Sequence, residues 1–232
     1  MKLESLVFGS KTIKYELSFS ERKTLGITVT PEMEVKVIAP DDTSLEKIRE
    51  KVRKKAPWIL KQTSYFLSFQ PRTPKKRFVS GESHLYLGRQ YKLKVNIGSK
   101  EEVRYIGRSI EITTSNKGNT GKLMNEWYRK RAQIKFVEIG DPIIERFKKY
   151  NVAPKGLYLR DMPKRWGSCT PMGKIILNPE LIKAPKACIE YVIIHELCHL
   201  VYRDHNQKFF DLQTKEMPNW EKWKMKLEKI MA

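Results

Sequence analysis

Two histidines four residues apart stand in one of the most apolar stretches of this 232-residue chain. Residues 195–199 read His-Glu-Leu-Cys-His, and positions i and i+4 of an α-helix lie one above the other on the same face. His195 and His199 can therefore offer two imidazole nitrogens to a single metal ion. Glu196 lies at the edge of that face, where a carboxylate can act on a water molecule at the metal without binding the metal itself. The alternative is a metal-free helix whose histidines are satisfied by hydrogen bonds, but burying these groups without a cation is costly.

The residues around this pattern predict a helix buried in a protein core. We expect the helix to begin at Ala184–Pro185, because a proline in the first turn loses no intrahelical hydrogen bond. It should end near Asp204 or Asn206, one of which caps a second helix over about 207–217. Apolar residues occur on all sides of the first helix, which is typical of a core helix. One face carries Cys188, Tyr191, Val192, His195, His199 and Tyr202, and the other carries Ile189, Ile193, Leu197 and Leu200.

A third metal ligand is expected downstream, because zinc in a catalytic site commonly binds three protein ligands and leaves a fourth position for water. His205, six residues after His199, is the first choice. A carboxylate from Asp211 or Glu216 is the alternative. With His205 as the third ligand, we expect the site to bind one zinc ion.

A β-hairpin is predicted before the metal helix. Residues 165–169 form its first strand, residues 171–174 the turn and residues 175–178 an apolar second strand. A strand edge beside the metal could bind an extended peptide through backbone hydrogen bonds and tolerate many side chains. We therefore assign substrate binding to the first strand, with ordinary packing of Arg165 and Trp166 as the alternative. The residues concerned are Arg165, Trp166, Gly167, Ser168 and Cys169.

These motifs together resemble one protein family. The chain contains Arg-Trp-Gly-Ser-Cys at 165–169, Ile-x-Leu-Asn at 175–178 and Tyr-Val-Ile-Ile-His-Glu-Leu-Cys-His-Leu at 191–200, followed by His205 and Phe209. In this combination it is similar to the YgjP-like metallopeptidases, which are related to the SprT-like and Wss-type proteases. The similarity covers nearly the whole chain, with further matches at Ser20-x-Arg22 and at residues 81–83, 86–91 and 127–128.

The resemblance implies an α+β fold in two parts. A zincin-like catalytic domain, with its active-site helix behind a small sheet, would occupy residues 119–232. A β-rich N-terminal region with one long helix would occupy residues 1–118. We place the boundary between them in the loop over residues 115–121.

The resemblance also implies a zinc-dependent endopeptidase that acts on proteins or peptides, including proteins near DNA. Glu196 would activate the metal-bound water and later protonate the leaving amine, and either Tyr202 or Arg165 would stabilise the oxyanion. Two other functions stay open: a metal-stabilised nucleic-acid-binding protein without protease activity, and hydrolysis of a non-protein amide in a closed pocket. The implied zinc ligands are His195, His199 and His205.

The chain is strongly basic, with 46 Lys and Arg against 26 Asp and Glu and a formal charge of +20. Such a surface attracts polyanions, so contact with nucleic acid through the phosphate backbone, without base specificity, is one interpretation. A solvated basic face is the other. The basic residues cluster at Lys47, Arg49, Lys51, Arg53, Lys54 and Lys55, at Arg72, Lys75, Lys76 and Arg77, and at Arg129, Lys130 and Arg131.

The sequence also bears on where in the cell the protein is found. No apolar stretch reaches the roughly 18 residues that a membrane span needs. Residues 1–20 alternate apolar and polar side chains, which predicts two strands instead of a signal peptide. Cys169, Cys188 and Cys198 are an odd number without Cys-x-x-Cys spacing, so we expect reduced core residues and a cytoplasmic protein.

Periodicity and turn residues divide the remaining chain, in which no internal repeat is evident. Pro57 predicts a break or kink in a helix over 44–68, and Gly140–Pro142 predicts an interruption of a helix over 122–150. Short strands are expected within 5–40, 78–97 and 102–114, with a basic link at 70–77 and a helix over 218–230. The helix over 122–150 should pack behind the metal helix through Trp127, Tyr128, Ile134, Phe136 and Val137.

Overall fold

The structure is a computed structural model that describes residues 2–30, 32–67, 76–163 and 165–231. Within these residues the chain is a mixed α+β protein that divides into two compact units, residues 1–73 and residues 74–231. Each unit has a hydrophobic core of its own. No helix in the described ranges is long and apolar enough to cross a membrane. Most of the predicted basic link at 70–77, including Arg72 and Lys75, lies outside the described residues.

The first unit is a four-stranded sheet with one long helix. Its elements are β1 (Lys2–Phe8), β2 (Lys11–Phe19), β3 (Gly26–Val29), β4 (Val35–Ala39) and α1 (Leu45–Leu67). The strand order is β1-β2-β4-β3, in which β2 and β4 are parallel and the other neighbours are antiparallel. The buried residues of α1 recur at the spacing of one helix face, which packs into the core of this unit. They are Ile48, Val52, Ala56 and Ile59.

Helix α1 continues through Pro57, so the predicted break is absent. A proline inside a helix removes one backbone hydrogen bond and favours a kink. Ala56 and Ile59, on either side of Pro57, are both fully or almost fully buried. Both neighbours therefore pack into the core of this unit from one continuous helix.

The second unit begins with the same arrangement of strands followed by a long helix. Its first elements are β5 (Ser83–Tyr86), β6 (Arg89–Ile97), β7 (Glu102–Ile106), β8 (Ser109–Thr114) and α2 (Thr120–Phe147). The strand order β5-β6-β8-β7, with β6 parallel to β8, has the topology of the first sheet. The sequence shows no internal repeat, whereas the topology of four strands and a helix occurs twice. Backbone pairing defines a topology, and many different side chains satisfy the same pairing.

The remaining elements form a three-stranded sheet and three helices. They are β9 (Gly156–Leu159), β10 (Gly167–Cys169), β11 (Lys174–Leu177), α3 (Lys186–Val201), α4 (Gln207–Glu216) and α5 (Trp220–Met231), with short 3-10 helices at Lys117–Asn119, Lys148–Tyr150 and Pro179–Lys183. Strands β10 and β11 form the predicted hairpin, with Ser168 opposite Ile176. The sheet order is β10-β11-β9, and β9 runs parallel to β11.

Helix α2 is unbroken at Gly140–Pro142, contrary to prediction. A Cβ atom on Gly140 would lie 2.5 Å from Cδ1 of Leu157 in β9 and 3.6 Å from Cδ1 of Ile193 in α3. The glycine therefore allows α2 to approach Leu157 of β9 closely instead of ending the helix.

The packing predicted for α2 is right for three residues and wrong for two. Trp127, Tyr128 and Phe136 are buried in the core of the second unit. Ile134 and Val137 are 49% and 44% exposed, so they are not part of this core.

The division of the chain differs from the predicted boundary between residues 118 and 119. Leu93 and Ile110 of the second sheet share one hydrophobic core with Phe136 of α2 and Ile193 of α3. The loop over 115–121 therefore connects two parts of one unit, and the division into units falls between residues 73 and 74.

Candidate metal centre and cleft

Helix α3 carries the His-Glu-Leu-Cys-His pattern. It begins directly after Pro185, within one residue of the predicted start. His195 and His199 lie on successive turns, with ring centroids 5.0 Å apart. Most of the helix is buried, as expected of a core helix. Its buried residues are Cys188, Ile189, Tyr191, Val192, Ile193, Ile194, Glu196, Leu197 and Cys198.

The chain reverses direction after α3 and returns His205 to the helix. Tyr202 leaves α3 in an extended conformation, with φ −129° and ψ 114°. The next helix begins at Gln207, and the side chain of Asn206 caps it by accepting a hydrogen bond of 3.0 Å from the N–H of Phe209. Asn206 is therefore the cap, and Asp204 is not.

Three imidazoles converge where the chain reverses. One ring nitrogen from each of His195, His199 and His205 lies within 4.8 Å of the others. The Nε2 atoms of His195 and His205 are 3.1 Å apart. Two nitrogens that bind one tetrahedral zinc ion at about 2.1 Å lie about 3.4 Å from each other. The spacing of the three imidazoles therefore fits a shared zinc ion.

Hydrogen bonds orient two of these rings toward a metal. Nδ1 of His199 lies 3.0 Å from the carbonyl oxygen of Arg203 and 3.3 Å from that of Tyr202, and a carbonyl oxygen can only accept. Nδ1 of His195 lies 2.8 Å from Oε1 of Gln213. Protons on both Nδ1 atoms leave the Nε2 lone pairs free to bind a cation.

The electrostatic surroundings of His195 favour its neutral form. Burial lowers the pKa of His195 to about 4. The hydrogen bond to Gln213 opposes this shift, and the nearby His199 and His205 add to it. A neutral imidazole is the form that binds a metal ion.

Neither carboxylate considered as a third ligand belongs to this cluster. Asp211 is exposed and accepts a 2.8 Å hydrogen bond from Nε2 of Gln207. Glu216 is paired with Arg146 and Lys149, each at 2.8 Å. His205 is therefore the residue that the chain brings to the two histidines of α3.

Glu196 is a buried carboxylate, 5% exposed, beside the three histidines. Burial raises its pKa to about 7, while a hydrogen bond from the N–H of Cys169 and the positive charge of Arg165 lower it. Gly167 leaves the space that this carboxylate occupies. A Cβ atom on Gly167 would lie 2.6 Å from Oε1 of Glu196 and 2.9 Å from Cγ1 of Val192.

The histidines and Glu196 lie in a cleft of about 700 Å³. His205 and Arg203 are exposed at the cleft, whereas Glu196 is buried in it. Four of the five residues assigned to substrate binding line the cleft: Arg165, Gly167, Ser168 and Cys169. The other lining residues are Thr170, Pro171, His195, Glu196, His199, Leu200, Arg203 and His205.

Two residues assigned to the site lie elsewhere. The side chain of Trp166 packs against the hydrophobic core, and its carbonyl accepts a 2.8 Å hydrogen bond from the N–H of Asn178. The side chain of Tyr202 also packs against the core, and its carbonyl oxygen lies 3.3 Å from Nδ1 of His199. Neither residue lines the cleft, and both side chains bury apolar surface against the core.

Two residues of the site were missed from the sequence. Arg203 lines the cleft, and Gln213 holds His195 from α4 while being fully buried itself. One signal could have revealed Gln213. It follows Phe209 by four residues, and so lies on the same buried face of an amphipathic helix, where a polar side chain needs a partner.

Comparison with known proteins agrees with this geometry. A family model described as the YgjP-like metallopeptidase domain matches residues 23–230, which is nearly the whole chain. No curated protein matches the chain significantly. The match extends over both units and includes the histidine cluster and the cleft. The chain therefore belongs to the YgjP-like metallopeptidase family.

Proposed function

We propose that this metallopeptidase is a zinc-dependent endopeptidase in which Glu196 is the general base. Membership of the family indicates a metal-dependent protease. One observation supports the finer assignment. Three histidine nitrogens within 4.8 Å of one another share a cleft with a buried carboxylate. Helix α3 behind the sheet β10-β11-β9 also agrees with a zincin-like catalytic domain.

The donor set favours zinc over harder cations. Three imidazoles and no carboxylate are typical ligands of zinc, whereas magnesium and calcium prefer oxygen ligands. His195, His199 and His205 would hold the ion. When bound, zinc supplies a Lewis acid that acidifies water and polarises a carbonyl group.

The chain itself supplies the proton transfers. Glu196 takes a proton from the attacking water and delivers it to the leaving amine of the substrate. The hydrogen bond from the N–H of Cys169 and the space at Gly167 fix the position of its carboxylate. We assign stabilisation of the oxyanion to Arg165, because it lines the cleft and the side chain of Tyr202 does not.

We further propose that substrates bind as extended peptides along β10. This strand is at one end of its sheet, and residues 167–169 line the cleft. An unpaired strand edge recognises the peptide backbone, so we expect broad sequence tolerance. The cleft is bordered by the exposed His205 and Arg203, which suits a protein chain better than a small amide that needs a closed pocket.

The alternative of a nucleic-acid-binding protein with a purely structural metal is less well supported. A structural zinc site usually closes its fourth position with another protein ligand. The cluster of His195, His199 and His205 includes no fourth His, Cys, Asp or Glu among the described residues. Glu196 would also have no role in such a site. We also propose a reducing compartment, such as the cytoplasm, because Cys169, Cys188 and Cys198 are all free thiols.

The proposal is tested by incubating zinc-loaded protein with casein, an unfolded substrate, and following cleavage on gels. We expect Glu196→Gln to lower the rate by about 10²- to 10⁴-fold, the usual contribution of a general base. Its zinc content, measured by mass spectrometry, should equal that of the wild type. Glu190→Gln, on the same helix but outside the cleft, serves as the matched control and should cleave normally.

Two results would contradict the proposal. Equal cleavage by Glu196→Gln and the wild type would exclude Glu196 as the base. Absence of cleavage by zinc-loaded wild type across casein and other unfolded proteins would favour a binding function.

A further inference from the structure

The first unit has an exposed groove that the proposed peptidase activity does not use. The groove has a volume of about 460 Å³ and lies between α1 and the segment that enters and forms β3. Leu25 and Ile27 give it an apolar side, and both are partly buried against the core of this unit. The other lining residues are Lys51, Lys54, Lys55 and Trp58.

The lysines and Trp58 share one face of α1. Positions 51, 54, 55 and 58 follow the i, i+3, i+4 and i+7 spacing of a single helical stripe. All four residues are exposed, next to the stripe that packs into the core. A stripe that the fold does not need for packing is available for binding.

The three lysines are not neutralised by neighbouring carboxylates. Arg49, two residues before Lys51, forms an ion pair with Glu4 at 3.0 Å. Among the described residues, Lys51, Lys54 and Lys55 form no such pair. The groove therefore presents a net positive charge to a ligand.

Trp58 places a large aromatic ring among these charges. It is 41% exposed, so a substantial part of its surface is accessible to a ligand. A ring at the side of a cationic groove can stack with a nucleobase, and every base offers a suitable face. The carboxylates of an acidic peptide would also satisfy the lysines, but they do not stack on an aromatic ring.

We propose that the groove of α1 and β3 binds single-stranded nucleic acid, with phosphates at Lys51, Lys54 and Lys55 and one base stacked on Trp58. Single strands fit better than a duplex, because paired bases are already stacked and their faces are inaccessible. Contacts to phosphate and to a base face carry little sequence information, so binding is sequence-tolerant. This site is separate in the chain from the metal ligands and does not depend on peptidase activity.

The test uses fluorescence anisotropy with the full-length chain and a labelled oligo(dT) of about 12 nucleotides, at several salt concentrations. We expect the triple variant Lys51→Gln, Lys54→Gln, Lys55→Gln to bind at least tenfold more weakly at low salt. The slope of log K against log salt should fall by about 2, because each phosphate contact to a single strand contributes about 0.7.

A second triple variant controls for overall charge. Lys11, Lys14 and Lys23 are exposed lysines of the same unit that do not line the groove, and changing all three to Gln removes the same charge. We expect this control to weaken binding less than threefold. Equal weakening by both triple variants would overturn the proposal in favour of diffuse attraction.

Trp58→Ala separates stacking from charge. It should weaken binding roughly five- to a hundredfold while the salt dependence stays the same, because stacking releases no counterions. Circular dichroism and thermal unfolding verify that the unit is folded. Binding unaffected by Trp58→Ala, or duplex DNA bound as tightly as the single strand, would overturn the proposal.

Two further arms identify the ligand class and the independence of the site. Displacement of the oligonucleotide by polyglutamate or by phosphatidylserine vesicles at equal charge would indicate an acidic protein or a lipid surface and overturn the proposal. Glu196→Gln should bind the oligonucleotide as the wild type does. Failure of the peptidase test would therefore not affect the proposal that the groove binds nucleic acid. Failure of the nucleic-acid test would likewise not affect the proposed peptidase activity.

Discussion

His205 differs from the other two histidines of the cluster in its position in the fold and in its exposure to solvent. His195 and His199 are half-buried on α3, whereas His205 is exposed and lies between α3 and α4. As a proposed ligand held by a short connection and not by a helix, His205 depends on the turn that positions it. The Asn206 cap of α4 fixes the end of that turn.

We predict that His205→Ala loses zinc. The affinity of the variant for zinc should fall by more than about 10- to 100-fold. A fall of that size is the usual cost of losing a residue that only supports a metal ligand by a hydrogen bond. Competition with a chromogenic chelator gives the affinity, and zinc content after gel filtration verifies it. Asp211→Ala, four residues into the next helix, is the control and should retain zinc. Loss of zinc from Asp211→Ala but not from His205→Ala would mean that the third ligand is a carboxylate.

The sequence was enough to predict those site residues that are close to one another in the chain. His195, Glu196 and His199 are placed by helix geometry alone, so their spacing is enough. Gln213 contacts His195 across 18 positions of the chain, and only the packing of α4 on α3 brings them together. The direction of the Trp166 side chain likewise depends on the core and not on neighbouring residues.

Strand β10 and helix α3 meet at Gly167, where no side chain separates them. We predict that Gly167→Ala lowers kcat by about 100-fold, because the added methyl group displaces Glu196 and a shift of about 1 Å can have this effect. Zinc content should stay at the wild-type level, since no ligand is touched. Steady-state kinetics on a fluorogenic peptide would measure the change.

A suitable comparison is Gly118→Ala, outside the cleft. A Cβ atom there comes no closer than 3.2 Å, to the flexible end of the Asn116 side chain, so we expect normal kcat. A normal kcat in both Gly167→Ala and Gly118→Ala would contradict the prediction. It would show that the cleft adjusts to the added methyl group and that activity does not require the close contact between Gly167 and Glu196.

Elements with strong local signals were predicted well, and long-range pairings were not. The hairpin of β10 and β11 followed from two apolar strands around a turn, and α4 from its polar cap. Strand β9 was missed, because a short strand parallel to a distant partner has no signal in its own sequence. Pro57 and Gly140 suggested breaks, but α1 and α2 are both continuous through these residues.

The stability of the second unit should depend on pH through Glu216. Burial by itself would raise the pKa of Glu216, but hydrogen bonds from Lys149, Tyr150 and Arg146 outweigh it and lower the pKa below the usual 4.5. A carboxylate with a lowered pKa in the folded state stabilises the protein above its usual pKa. That stabilisation is lost as the pH falls through the folded-state value.

We predict that Glu216→Gln lowers the free energy of unfolding by about 1 kcal/mol near neutral pH, a modest value because Arg146 and Lys149 are about half exposed. Denaturant unfolding should show this difference shrinking below about pH 4.5. Glu145→Gln, which breaks an exposed ion pair with Lys148, should have little effect at any pH. A difference for Glu216→Gln that stays constant with pH would contradict the ionic explanation.

The mixed α+β class of the whole chain was predictable, but its division into units was not. The loop over 115–121 resembles a linker in its own residues, yet Leu93 before it and Phe136 after it share one core. Such sharing depends on contacts between distant segments, which hydrophobic patterns do not specify.

The repeated topology of four strands and a helix suggests a history for the two units. In the second unit, α2 has neighbours on several sides, including the sheet, β9 and α3, and its buried residues extend around much of its circumference. In the first unit, α1 packs on its sheet along a narrow stripe. If the two units descend from one ancestral module, one copy gained a catalytic layer on its helix. The other kept a helix with an exposed stripe, on which a basic, aromatic surface could evolve without cost to core packing.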